Sequence, residues 1–295
     1  MKVSLVIPNW NGVDKLKKNL PEVLKVKVVD EIIIADDASS DESVEFIKEN
    51  YPQIKLITSN LKKNQGFSSN VNAGFKEALG DIIFLLNTDA VPHSECVEIA
   101  LPHFKDEKVF SVSCNTGGTW SWGEFKGGFF WHKQAEERVK IAHQTLWASG
   151  GSGIFRKSIW DHLGGLDTLF DPFYEEDVDI GYRANKRGYI NLFEPRSLVA
   201  HYQEKGVIAI NYSVSTISRV ARRNQLFFIW KNITSKKLIL EHLIFLLKLL
   251  IIHPKYWSVF LPAFLKLPQV LANREKEIKE AILTDEEILA KFTEV

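Results

Sequence analysis

Carboxylates and amides gather in a few short stretches of this sequence, and their types set the chemistry open to it. Ile82-Ile83-Phe84-Leu85-Leu86 runs directly into Asn87-Thr88-Asp89. A carboxylate such as Asp89 can bind a divalent cation directly, and Asn87 can bind one through its carbonyl or a water. Pro8-Asn9-Trp10-Asn11-Gly12, Asp36-Asp37-Ala38-Ser39-Ser40-Asp41 and Asn64-Gln65-Gly66-Phe67 are similarly polar, and Asn60 precedes the last of them. Asp36 and Asp37 can accept hydrogen bonds from a base or a ribose. Neither G-x-G-x-x-G nor G-x-x-x-x-G-K-[ST] follows the first apolar run, so bound phosphates would need a metal as counter-charge. Together these residues fit a nucleoside diphosphate, with Asn-Thr-Asp as its metal clip. Further along, Glu175-Glu176-Asp177-Val178-Asp179 places four carboxylates in five residues. Repulsion among them raises at least one pKa, which suits a general base; a solvated acidic helix start is the plainer reading.

The elements that must position these groups are legible from periodicity. Val3 to Ile7, Ile32 to Ala35, Lys55 to Thr58 and Ile82 to Leu86 read as strands, the last buried on both faces. Between them, Leu16, Leu20, Val23 and Leu24 recur at helical spacing, as do Val71, Phe75, Ala78 and Leu79, with Gly80-Asp81 as a stop. Ser39-Ser40-Asp41-Glu42 fits a capping box opening a helix through Val44 and Ile47. Strand and helix in alternation predict an α/β fold with a mostly parallel central sheet flanked by helices. In such sheets ligands bind outside the carboxyl ends of the strands, which is where all four polar turns fall. Any one such turn is ordinary loop chemistry; four on one edge favour a site.

Composition removes other classes. The chain has 295 residues, 45% of them hydrophobic, and a formal net charge of zero, so no whole-chain field points to nucleic acid. Its two cysteines, Cys96 and Cys114, lack metal-type spacing and suit a reducing compartment. The opening MKVSLVIPNW has too short an apolar stretch for a signal peptide, so an intracellular protein is expected.

"SLVIPNWNG", "IIIADDASSDES", "NQGFSSNVNAGFKEALGDIIFLLNTD" and "GGLDTLFDPFYEEDVDIGYRANKRG" stand here in the order found in family 2 inverting glycosyltransferases of the GT-A fold. The resemblance is strongest to the rhamnosyltransferase-like branch that builds bacterial polysaccharides, and it covers residues 1–205. It implies nucleotide contacts from Pro8, Asn11, Asp36 and Asp37, and also from Asn64, Gly66, Asn72 and Asn87. Asp89 would hold Mg²⁺ or Mn²⁺, with Asn87 standing where the family's D-x-D motif has its first aspartate. His201, after Leu198-Val199-Ala200, would complete the metal shell. Asp177 would be the catalytic base, paired with Glu176, while Asp179 supports it or meets Arg183. Trp147, Gly150, Gly151 and Glu175 would border the donor sugar and acceptor. The implied donor is dTDP-rhamnose or a UDP-hexose, and the acceptor a saccharide, lipid-linked in cell-surface polysaccharide synthesis. An inactive sugar-nucleotide-binding or scaffold subunit is the alternative.

Two stretches lie outside that core. Residues 117–132, glycine-rich with interleaved aromatics, read as a mobile acceptor loop. Residues 206–295 read as a helical C-terminal extension. Its first part carries Arg219, Arg222, Arg223, Lys231, Lys236 and Lys237 without acidic neighbours. Leu238 to Ile252 then spans 15 residues broken by Glu241, His242 and Lys248, short of the roughly 20 apolar residues of a spanning helix. The pattern suits attachment to an anionic membrane, at the cytoplasmic face; packing on the catalytic domain or a homodimer surface competes. The charged segment from Asn273 reads as an exposed tail or a coiled contact.

Overall fold

The computed structural model describes residues 1–59, 63–136, 138, 140–201 and 206–292. Asn60, and the expected boundary at residue 205, lie outside the described residues. The chain opens as β1 (Val3–Asn9), α1 (Val13–Val23), β2 (Glu31–Asp36), α2 (Ser43–Asn50), β3 (Lys55–Thr58), α3 (Phe67–Glu77) and β4 (Ile82–Leu86), as the alternation predicts. Next come β5 (Ala90–Pro92), α4 (Cys96–Ala100) and β6 (Val109–Asn115), then β7 (Thr119–Lys126), β8 (Phe129–Glu136), β9 (His143–Gln144) and β10 (Ser152–Arg156). After α5 (Lys157–Leu163), α6 (Glu176–Lys186) and β11 (Ile190–His201), the rest is helical: α7 (Val207–Asn211), α8 (Val214–Asn232), α9 (Lys236–Ile252), α10 (Trp257–Leu265), α11 (Leu267–Glu280) and α12 (Asp285–Lys291).

The main sheet runs β3-β2-β1-β4-β10-β6-β11-β5. Its first four strands are parallel, β6 and β11 are parallel, and β10 runs antiparallel between β4 and β6. Successive residues of the central strands enter opposite cores, because side chains alternate across a sheet. Leu5, Ile7, Ile34 and Phe84 face α1 and α4, while Val6, Ile33, Ile83 and Leu85 face Phe75 and Trp160. That is why these strands read as unbroken apolar runs. Two pairings then fix the site. Ser152 lies opposite Leu86, so the loop before β10 meets the end of β4. His201 lies opposite Ala90, which sets it beside Asp89.

Local expectations fail at identifiable points. α3 ends at Glu77 because Ala78 turns extended, so Leu79 is 79% exposed instead of joining the core. No capping box opens α2; Asp41 instead accepts the Ser43 N–H (3.0 Å) and the Val13 N–H of α1 (3.0 Å), tying two helix starts together. Residues 117–132 are not a mobile loop: β7 and β8 form a hairpin turning at Gly127-Gly128, both at positive φ (60° and 74°), the geometry a two-residue hairpin favours.

The residues after 205 share a core with those before it. Leu226, Phe227, Phe228 and Ile229 of α8 are buried with Phe130, Leu146 and Tyr182. Burying side chains of this size contributes about 1.5–3 kcal/mol each. α9 sits against the hairpin tip, where Glu241 accepts the Gly128 N–H (3.0 Å) and His242 Nδ1 lies 2.6 Å from the Gly128 carbonyl. The charged end is docked, not exposed: Asp285 pairs with Lys186 (3.1 Å) and Arg187 with Glu277 and Glu280 (2.6 Å each).

Candidate active site

A cleft of about 340 Å³ opens at the carboxyl ends of β1, β2 and β4. Pro8, Asp37, Asn64, Gly66, Asn87, Asp89 and His201, all singled out from sequence, line it. Asn70, from α3, holds the strand ends in place by donating to the Ala35 carbonyl (2.9 Å) and the Asn9 carbonyl (3.2 Å). Asp37 accepts the N–H groups of Gln65 (2.7 Å) and Gly66 (3.0 Å), while burial raises its pKa. Gly66 has φ 114°, and a side chain there would collide with Asp171, so only glycine brings the chain this close.

Three predicted nucleotide residues stand apart from the cleft lining. Asp36 is occupied by Asn9 Nδ2 (2.7 Å) and the Ser39 hydroxyl (2.6 Å). Asn11 accepts the Ser40 N–H (2.7 Å), bridging the first two turns. Asn72 exchanges hydrogen bonds with the Leu166 backbone (2.7 and 3.0 Å), clipping α3 to the segment before α6. These residues shape the site without lining it.

Asp89 lies at the polar end of the cleft. Its Oδ1 is 3.4 Å from His201 Nε2, and its Oδ2 is 3.1 Å from Lys15 Nζ. Another part of the lining is aromatic. Trp10 and Tyr212 have ring centroids 6.1 Å apart, Phe173 lies 4.9 Å from Tyr212, and Tyr174 sits alongside at positive φ. α7 closes this side through Val207 and Ile208. Trp10 lay within the quoted Pro8–Gly12 turn and could have been found there; Tyr212, past the expected domain boundary, carried no signal.

The acidic run starts α6, and its four carboxylates have four different environments. Asp179 is fully buried, pairs with Arg183 (2.7 Å) and Lys231 (3.0 Å), and accepts from the Asn232 amide (2.7 Å). Glu175, held at φ 76°, faces His132 Nδ1 at 3.4 Å; burial raises the Glu175 pKa against the opposing effect of His132. Glu176 is buried, its Oε2 has no partner among the described residues, and burial, then the charge of Asp177, raises its pKa well above the ordinary glutamate value. Asp177 is also raised by burial, but it accepts two backbone N–H groups, from Gly150 (3.0 Å) and Val178 (2.8 Å), which favour its ionised form.

The loop before β10 joins both halves. Gly150 donates to Asp177, and the Gly151 carbonyl accepts the Asn87 N–H (3.0 Å). Side chains at either glycine would press on Asp177 or on the Asn87 amide. Trp147 is buried behind this loop, its ring edge-on to His132 (6.2 Å), and it packs against Gly181.

Comparison with known proteins gives the class to which this chain belongs. Residues 4–164 match the model of glycosyl transferase family 2, more than half of the chain, and the chain belongs to that family. The poly-beta-1,6-N-acetyl-D-glucosamine synthase of Staphylococcus aureus is 26% identical over 208 residues, covering 66% of this chain and 48% of the synthase. The chain thus spans about half the length of that relative. Among solved structures, GalNAc-T7 with UDP, GalNAc and Mn²⁺ superposes with a TM-score of 0.66 at 18% identity, covering 80% of this chain and 49% of that one. TarS 1-349 of S. aureus with UDP-GlcNAc gives a TM-score of 0.58 at 15% identity, covering 98% and 83%. At these identities the structures show the fold, which is GT-A.

Proposed function

We propose that the chain transfers a sugar from a nucleoside-diphosphate donor to a saccharide hydroxyl, with inversion at the anomeric carbon. The observation that carries this reading is the loop whose consecutive glycines hold Asp177 on one side and Asn87 of the Asn-Thr-Asp turn on the other. Burial, then the charge of Asp177, raises the Glu176 pKa and favours its protonated form, whereas the two N–H groups on Asp177 favour the anion. Neighbouring carboxylates pushed apart in this way take different roles, and Asp177 is the base. It takes the proton from the acceptor hydroxyl as that oxygen attacks the anomeric carbon and the diphosphate departs.

Asp89 and His201 supply a carboxylate and an imidazole, donors that suit Mn²⁺ or Mg²⁺ once diphosphate oxygens and waters complete the shell. A divalent cation bound there supplies positive charge against the departing diphosphate. Trp10 and Tyr212 would offer ring surface to the base, and Asp37 a carboxylate to the ribose. The presence of UDP and Mn²⁺ in the GalNAc-T7 structure supports this assignment. The donor is dTDP-rhamnose, as the sequence motifs suggest, or a UDP-hexose, as the UDP-bound neighbours suggest.

The acceptor is a lipid-linked saccharide of cell-surface polysaccharide, and the enzyme sits peripherally at the inner face of the plasma membrane. Among the described residues no helix is long and apolar enough to cross a membrane. Arg223 and Lys231 turn inward, to the Asp171 carbonyl (2.7 Å) and to Asp167 (2.6 Å), so the basic segment alone is a weaker anchor than its sequence suggests. Stronger support comes from α9 and α10, where Leu240, Leu243, Leu247, Ile251, Trp257 and Leu265 are exposed. No Asp or Glu occurs between Glu241 and Glu275, while Lys248, Lys255 and Lys266 do. Such a face lies in an anionic interface without spanning it.

Calorimetric titration with dTDP, UDP and GDP in the presence of Mn²⁺ tests the donor class. Binding of dTDP or UDP at micromolar concentrations is the expected result. A chain that binds none of the three contradicts the proposal.

A further inference from the structure

Asp89 carries a second cation that the family motif does not account for. Lys15, in the first turn of α1, places its ammonium 3.1 Å from Oδ2 of Asp89, and the two side chains are only 11% and 14% exposed. The contact is built into the fold rather than left to a mobile surface lysine. One turn along α1, the Asn19 amide donates to the Thr88 carbonyl (2.8 Å), clamping the helix to the turn that carries Asp89. Lys15 is not among the residues that line the cleft, whereas His201, which faces Oδ1, is. With Asn87 neutral, the charges of Asp89 and Lys15 cancel. Among the described residues, no group of three or more His, Cys, Asp or Glu side chains is placed to hold a metal ion.

We propose that Lys15 makes metal binding contingent on the nucleotide, by pinning Oδ2 of Asp89 and cancelling its charge. The inference rests on the nucleotide-sugar reading above. The protein alone then offers a divalent cation one carboxylate oxygen, one imidazole and no net negative charge, a poor site for a hard ion. A diphosphate brings both the missing oxygens and the missing charge, so metal and nucleotide bind together. This arrangement keeps the clip from filling with metal before the donor arrives. Lys15 is a positioning residue: it acts through Asp89 and need not touch the diphosphate.

The test is Mn²⁺ affinity of the full chain, read from the free-ion electron paramagnetic resonance signal, with and without UDP or dTDP, for the native protein, Lys15→Met and Lys15→Arg. Native protein should bind Mn²⁺ weakly alone and much more tightly with nucleotide. Lys15→Met should tighten Mn²⁺ binding alone by roughly tenfold, as removing a like charge near the ion predicts, and so shrink the gain from nucleotide. Lys15→Arg should behave as the native chain. A gain of affinity cannot arise from misfolding, so damage to α1 would not imitate it. Unchanged or weaker Mn²⁺ binding by Lys15→Met, with nucleotide coupling intact in the native chain, overturns the role of Lys15 and leaves the functional reading standing. A native chain that binds neither Mn²⁺ nor nucleotide overturns both.

Discussion

Asp177 accepts the backbone N–H of Gly150 at 3.0 Å, and this bond ties the proposed base to the loop that also grips the end of β4. Because the Gly151 carbonyl accepts the Asn87 N–H, the proposed base and the proposed metal clip share this loop.

The clip should depend on Asp89. Asp89→Asn removes the only carboxylate of the Asn-Thr-Asp turn and leaves Lys15 and His201 facing an amide. Nucleoside diphosphate affinity in Mn²⁺ should fall at least tenfold in a calorimetric titration. The variant should respond little to chelator, whereas the native chain should lose affinity when Mn²⁺ is removed. Equal native affinity with and without Mn²⁺ would leave the turn without a metal role.

The pH profile carries a signature of His132. Burial raises the Asp177 pKa, so the basic form is lost, as pH falls, at a pH above the ordinary aspartate range. The His132 cation works against that shift at both Asp177 and Glu175. His132→Gln should therefore move the acid limb of kcat/KM to higher pH. A limb that stays in place or moves lower would show that His132 does not act on the acidic run.

The C-terminal helices should be needed for folding. Asp285 is buried and accepts from Tyr182 Oη (2.8 Å), from the Thr234 and Ser235 N–H groups (2.6 and 2.7 Å), and pairs with Lys186. Asp285→Ala leaves Lys186 as a buried, uncompensated charge, which costs about 3–5 kcal/mol. Urea denaturation measures it, and a loss under about 1 kcal/mol would contradict the integral role of α12.

Membrane attachment should track α9 and α10. Flotation with anionic liposomes should recover the full chain at low salt and less of it at high salt. Leu243→Glu with Ile251→Glu, both on the exposed face of α9, should abolish recovery while thermal stability is kept. A native chain that stays unbound at low salt removes the membrane from the account. A truncation at residue 206 is no substitute, since it would strip Val207, Ile208 and Tyr212 from the cleft.

The sequence made the sheet legible because its strands are buried on both faces, and the strand ends followed from the sheet. The hairpin of β7 and β8 was hidden by its glycines, although Trp120 and Trp122 already alternate with small polar residues at strand spacing. Asp36, Asn11 and Asn72 make local hydrogen bonds and do not line the cleft, which spacing alone does not reveal. Lys15 could not be paired with Asp89 from sequence, because 74 residues separate them and only the packing of α1 on the β4 turn joins them. The charged tail misled because its partners, Lys186 and Arg187, lie at the end of α6, far upstream.

The most direct test of the central claim is donor turnover by the native chain and by Asp177→Asn, measured as nucleoside diphosphate released from dTDP- and UDP-sugars in Mn²⁺. The substitution keeps the shape of the side chain and its Gly150 neighbour but cannot take a proton. The native chain should turn over at least one donor. Asp177→Asn should bind that donor with similar affinity and release product about 10²–10⁴-fold more slowly, the usual effect of losing a general base. Near-native turnover by Asp177→Asn, or loss of activity in Glu176→Gln alone, would contradict the assignment of the base and with it the mechanism.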